Sequence, residues 1–147
     1  MSLIDKLNDD LKSAMKSKDK VRLETIRSLK SMLREKEIEK NDDLSEEEQI
    51  KVLSSAAKRR REAIESYQEG GRTELADQEQ AELEIIETYL PEQLSEDDIR
   101  ELVDEILEET GASTMQDMGR VMGAIMPKVR GQADGSLVQQ IVKEKLS

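Results

Sequence analysis

The chain has 147 residues, 39% of them charged and 35% hydrophobic, with a formal net charge of −11. It holds neither cysteine nor histidine, which excludes disulfides, thiolate or imidazole metal ligation, and Ser-His-Asp or Cys-His catalysis. Two tyrosines are its only aromatics, so a core must be built from Leu, Ile, Val, Ala and Met, which suits packed helices better than a sheet sandwich.

The apolar residues recur at helical spacing from the start. Leu3, Leu7, Leu11, Ala14 and Met15 predict a first helix from about Ser2 to Lys16, with Ser2 as its cap. Asp19 caps a second helix to about Lys40, with Ile26, Leu29 and Leu33 on one face. Ser45 and Glu48 form a capping-box pattern that opens a third helix, whose stripe is Ile50, Leu53, Ala57, Arg60, Ile64 and Tyr67. Gly70-Gly71 stops it, because paired glycines accept the left-handed backbone of a helix end. A fourth helix uses Leu75, Leu83, Ile86, Tyr89 and Leu90 and ends before Pro91.

Glu92-Gln-Leu94 is the best candidate boundary, giving an N-terminal region 1–90 and a C-terminal region 91–147. Ser95 with Asp98 caps a fifth helix carrying Ile99, Leu102, Val103, Ile106 and Leu107, and Gly111 terminates it. Ser113 or Thr114 opens a sixth helix with Met115, Met118, Met122 and Ile125 along one side, and Pro127 is expected to mark its end. Gly119, Gly123 and Ala124 are expected to let neighbouring helices come close, with the methionines filling the gaps. Asp134 caps a seventh helix carrying Leu137, Val138, Ile141 and Val142. The expected fold is all-α: about four N-terminal helices, then a C-terminal three-helix bundle. No apolar run approaches the roughly 20 residues of a membrane span, and Met1-Ser-Leu-Ile-Asp lacks a signal-peptide core. A cytoplasmic protein without membrane contact is expected.

The charge is unevenly placed. Residues 73–112 carry one Lys/Arg against 15 Asp/Glu, whereas residues 113–147 carry five against three. Within the latter, the loop Lys128-Val-Arg-Gly-Gln-Ala-Asp-Gly135 sets Lys128 and Arg130 before a glycine and feeds a helix N-terminus. Free N–H groups and partial positive charge there suit a phosphate oxygen, and Gly131 and Gly135 would let backbone approach it. The alternative is an ordinary helix–turn–helix joint capped by Asp134. Lys58-Arg-Arg-Arg61 is the densest basic run. Arg60 falls on the apolar stripe and is expected to be partly buried and paired, which leaves Lys58, Arg59 and Arg61 as a second basic patch. Their alternative is a solvated face with nearby glutamates. The acidic run at Asp42–Glu48 has the wrong spacing for a calcium loop, and no metal or cofactor site is expected.

Met118-Gly-Arg-Val-Met-Gly123 followed by Pro127-Lys-Val-Arg-Gly-Gln-Ala-Asp-Gly135 resembles the signature of the YqeY family, and Met1–Lys12 and Tyr89-Leu-Pro-Glu-Gln-Leu-Ser-Glu are similar to the same family. The resemblance implies a C-terminal region similar to the tail domain of the B subunit of the tRNA-dependent amidotransferase, a tRNA-contacting appendage. Lys128 and Arg130 match the basic positions before the Gly131 turn, and Gln132 stands where family members often carry Lys or Arg, one charge fewer. What this implies is a non-catalytic accessory module binding tRNA through Lys128, Arg130, Arg120, Gly131, Gly135, Lys143 and Lys145. The alternative is an adaptor for an aminoacyl-tRNA synthetase or an amidotransferase. The family label of carbon–nitrogen ligase with glutamine as amido-N donor belongs to the multi-subunit relative. Glutamine hydrolysis needs an activated nucleophile, and the chain offers none on its own.

Overall fold

A computed structural model of the chain describes residues 2–147. The fold is all-α, with no strand among the described residues. The chain divides into two compact units, Met1–Pro91 and Glu92–Ser147.

The first unit holds α1 (Leu3–Ser17), α2 (Lys20–Lys40), α3 (Glu46–Glu69) and α4 (Thr73–Glu87). Local chemistry sets nearly every boundary. Ser2 Oγ accepts the Asp5 N–H at 3.1 Å, and Asp19 accepts the Arg22 N–H at 3.2 Å. Ser45 and Glu48 complete their reciprocal box at 3.2 and 3.0 Å, so two orphan donors are satisfied at once. α1 and α2 each end on a non-glycine residue in the left-handed region, Lys18 (φ 58°) and Asn41 (φ 59°). α3 ends with Gly71 at φ 72°. α4 stops at Glu87, short of the Tyr89 and Leu90 expected within it: ahead of Pro91 the chain tightens into i→i+3 bonds from Thr88, Tyr89 and Leu90.

α4 packs chiefly along α3, and α2 lies against α1, α3 and α4. The core is Leu7, Ile26, Leu29, Leu33, Val52, Leu53, Ala56, Ala57, Leu83 and Ile86. The buried face of α3 is therefore wider than the expected single stripe. Val52 and Ala56 join Leu53 and Ala57 inside, while Ile50 and Tyr67 are half-buried, because α3 is covered by two helices. Arg60 is 16% exposed, with its Nε 3.6 Å from Glu79 and 3.5 Å from Glu82 of α4. Burial pushes the Glu82 carboxyl up, and the Arg60 charge opposes it only in part. Tyr89 OH donates to Asp10, which also faces Arg22 at 3.4 Å, and Lys6 stands 5.3 Å over the tyrosine ring. The segment after α4 is thereby tied back to α1 and α2.

The second unit holds α5 (Glu96–Thr110), a 3₁₀ turn (Met115–Asp117), α6 (Met118–Val129) and α7 (Gly135–Leu146), which pack on one another. Ser95 and Asp98 form the box that opens α5, and Gly111, at φ 69°, closes it. Its core is Ile99, Val103, Ile106, Val121, Ile125, Val129, Val138, Ile141, Val142 and Leu146.

Three expectations for α6 need correction. Pro127 lies inside the helix, which continues to Val129. It stands two residues before that end, so its missing N–H and ring disturb one carbonyl, that of Gly123, which is exposed. The buried face is Val121, Ile125 and Val129, spaced by four; Met118, Met122 and Met126 flank it half-buried, and Met115 is 42% exposed. Gly119 and Gly123 do not mark close helix approach, since a Cβ at either would meet nothing within 4 Å.

Candidate nucleic-acid interface

α6 ends where Arg130 turns extended (φ −55°, ψ 122°), and Gly131 then takes φ 76°, which an L side chain resists. Gly131 is buried. Its carbonyl accepts the Gln93 side-chain N–H at 2.7 Å, the Leu94 N–H donates to the Gln132 carbonyl at 2.8 Å, and the Gln132 side chain donates to the Glu92 carbonyl at 3.2 Å. Glu92–Leu94 is thus bound along the turn, not left as a loose linker. Sequence reasoning missed this pairing; the only trace of it is two glutamines beside turn-forming residues, 39 positions apart.

Asp134 caps α7, accepting the Ser136 N–H at 3.1 Å. One of the free donors at that N-terminus is therefore held by the chain's own carboxylate. Gly135 faces inward: a Cβ there would stand 3.4 Å from the Met126 methyl. The loop has the geometry of a capped helix joint that carries Lys128 and Arg130 on its rim, both exposed.

The other expected cations are strung along the helices. Arg120 precedes Lys128 by eight residues on α6 and Lys143 follows Gly135 by eight on α7, about 12 Å of helix in each case. Arg120 faces Asp117 at 3.2 Å and Lys145 faces Asp104 at 3.1 Å, as Lys128 faces Glu109 at 3.9 Å. The Ser113 and Thr114 N–H groups, with Arg120 beside them, hold the Asp117 carboxyl below its usual range. The unit has six Lys/Arg against 12 Asp/Glu, a net −6, so its cations are islands in an acidic surround.

In the first unit the basic run divides. Lys58 and Arg59 are exposed, Arg61 is half-buried and Arg60 is held by Glu79 and Glu82. Arg59 lines a groove between α2 and α3 with Lys51 and Ser55, over Met32, Leu44 and Val52. Lys51, Ser55 and Arg59 recur every four residues, a spacing visible in the sequence beside the denser run. Across the groove Lys40 and Glu48 pair at 2.6 Å. The Lys40 bond, ahead of the Ser45 N–H, lowers the Glu48 carboxyl to about 2 and correspondingly raises Lys40. No His/Cys/Asp/Glu group suited to a metal ion is found among the described residues, and none of the helices searched is long and apolar enough to cross a membrane.

The fold and this surface define a class: an all-helical protein of two units, the second a short bundle joined at a capped, cation-rimmed turn. A family model described as Yqey-like protein matches residues 4–146, and the chain belongs to that family. The protein named "Altered inheritance of mitochondria protein 41, mitochondrial" of Pyrenophora tritici-repentis is 32% identical over 97% of this chain and 80% of its own length. Its namesake in Lachancea thermotolerans is 39% identical over 57% of this chain, which spans less than half, 46%, of that relative. One subunit of the glutamyl-tRNA(Gln) amidotransferase of Thermococcus gammatolerans is 39% identical over 57 residues, 36% of this chain and 9% of that relative's length.

Proposed function

We propose that the chain is a non-catalytic accessory module that contacts tRNA through its second unit, in the service of a tRNA-dependent amidotransferase or a synthetase. The observation that carries this reading is the 57-residue similarity to an amidotransferase subunit named for a glutamyl-tRNA. Lys128 and Arg130 on the rim of the Gly131 turn are the primary phosphate contacts, with Arg120, Lys143 and Lys145 along the helices; Lys58, Arg59 and Arg61 form a secondary patch. RNA recognition of this kind reads backbone and shape and needs no stacking aromatics. The ion pairs set its strength, because a phosphate must displace Glu109 and Asp104 from Lys128 and Lys145. This activity belongs with translation, in the cytoplasm; the mitochondrial names of the relatives are those proteins' own.

Titration of labelled bulk tRNA with the full chain tests the reading. About four phosphate contacts give a log–log salt slope near −3. Lys128→Glu with Arg130→Glu abolishes the binding, and Asp104→Asn with Glu109→Gln strengthens it. Binding indifferent to salt, or unchanged by the Lys128/Arg130 reversal, refutes the proposal. The adaptor reading draws on the acidic surround: recovery of a synthetase or amidotransferase after nuclease treatment, with no tRNA shift, would favour it.

A further inference from the structure

The outer face of α2 carries Arg27, Lys30, Arg34 and Ile38, separated by three, four and four residues. With Ile4 and Leu11 of α1 they line one open groove. Ile38 is 69% exposed, the most exposed large hydrophobic residue among those described. Arg27, Lys30 and Arg34 have no carboxylate partner among the described residues, although neighbours such as Arg22 and Lys36 do. The same groove ends in Glu37, Asp42 and Asp43. It is cationic along one half and acidic at the other, with Ile38 set between Glu37 and Asp42.

The charge order reverses sign about a point midway between residues 34 and 37. Arg34 and Glu37 lie at equal distances on either side of that point. Ile38 lies about 4 Å beyond it along the axis, and Lys30 and Arg27 about 8 and 13 Å before it. Asp42 and Asp43 lie on the acidic side at comparable reach. A two-fold axis through the midpoint, with two α2 helices antiparallel, sets each Arg34 against Glu37 of the other copy. The same operation brings Lys30 and Arg27 toward Asp42 and Asp43, and places both Ile38 side chains beside the axis, over Ile4 and Leu11. An isologous contact demands this self-complementarity. A phosphate chain does not fit the face as well, because the acidic end repels it and Ile38 offers it nothing.

We propose that this face is a homodimer interface: a second copy of the chain docks antiparallel on α2 and covers Ile38, Ile4 and Leu11. The inference rests on the first unit's charge order and is independent of the tRNA reading. A helix-pair contact is at the small end of specific interfaces, so the dimer is reversible and forms at micromolar chain concentration.

Sedimentation equilibrium of the full chain over a concentration series tests it. The mass rises from the 16.7 kDa chain toward twice that value, and less so at high salt. Arg34→Glu or Glu37→Arg alone weakens association about tenfold, since each places like charges together twice. The double variant restores it, because the swap preserves self-complementarity. The chain has no cysteine, so Ile38→Cys supplies a single thiol that a short bis-maleimide links into a dimer, whereas Glu84→Cys on an exposed site of α4 does not link. Circular dichroism checks that each variant remains helical. A single-chain mass at every concentration overturns the proposal, as does a dimer unmoved by the charge reversals. So does RNA bound to this face, released by Arg27→Glu with Lys30→Glu, on a chain of monomer mass.

Discussion

The two units close their helices in different ways. In the first, the ends of α1, α2 and α3 are finished within a few residues of themselves: Ser2, Asp19 and the Ser45–Glu48 box at the starts, and Lys18, Asn41 and Gly71 in the left-handed region at the finishes. In the second, the central turn at Gly131 and Gln132 is finished from far along the chain by Glu92, Gln93 and Leu94. The cores differ as well. The first is mainly leucine and alanine, and the second is valine and isoleucine on helices of 12 to 15 residues. A 56-residue unit buries a smaller share of its surface than a larger one, so each of its contacts counts for more. The lesson is confined to one joint: the turn between α6 and α7, the two shortest helices, is fixed by polar contacts from a distant segment, whereas α5 and most ends of the first unit are set by local caps.

The largest expected effect comes from the small core. Ile125→Ala should cost about 2–5 kcal/mol. Hydrogen exchange should then show amides of α5, α6 and α7 losing protection while those of α1–α4 keep theirs. Equal loss in both units would break the contrast. In the opposite direction, Gly119→Ala with Gly123→Ala should stabilise the second unit by about 1–2 kcal/mol in denaturant titration, because both glycines are helical with open space around them.

The polar joint comes next. Gln93→Ala leaves the Gly131 carbonyl without that donor and should cost about 1 kcal/mol, with faster exchange at Gln132 and Leu94; no change would show the joint to be held by packing alone. In the first unit Lys18→Gly should stabilise by about 0.5–1 kcal/mol, since Lys18 holds a left-handed backbone that glycine adopts without strain. The smallest effect is in acid. Glu48 titrates near 2, against about 4.5 when unpaired. Its folded value is depressed, so its contribution is present above about 4.5 and fades as pH falls toward 2. An NMR titration of its carboxyl checks the value, and the stability of Glu48→Gln should converge with that of the parent over that window. Lys40 has the converse sign: its raised value makes the pair's contribution fade as pH climbs past its ordinary 10.5.

Most of the helices were legible because their signals are local. Ser2, Asp19, Ser45, Ser95 and Asp134 cap where their side chains predict, and Arg60 is paired as its place on an apolar stripe requires. The failures involve information that does not lie along one helix. A stripe cannot show that α3 is covered from two sides, so Val52 and Ala56 were missed. Pro127 reads as a terminator because the rule ignores how close a proline stands to the end of its helix. Of the candidate site, the cations and the turn were readable; the carboxylates opposite them, Asp104 and Glu109, come from another helix and were not.

The clasp of Arg60 by Glu79 and Glu82 has a further consequence. α3 and α4 pack through aliphatic side chains such as Leu53, Ala57, Ala76 and Leu83, whose contacts are non-directional and discriminate weakly among alignments offset by one turn, about 5.4 Å. Glu79 and Glu82 are three residues apart on one face of α4 and bracket a single guanidinium of low exposure. Any slip would strand a positive charge in a poorly hydrated place. The clasp therefore acts as an index mark: it contributes modestly to how tightly the helices hold and strongly to which of several near-equivalent alignments they choose.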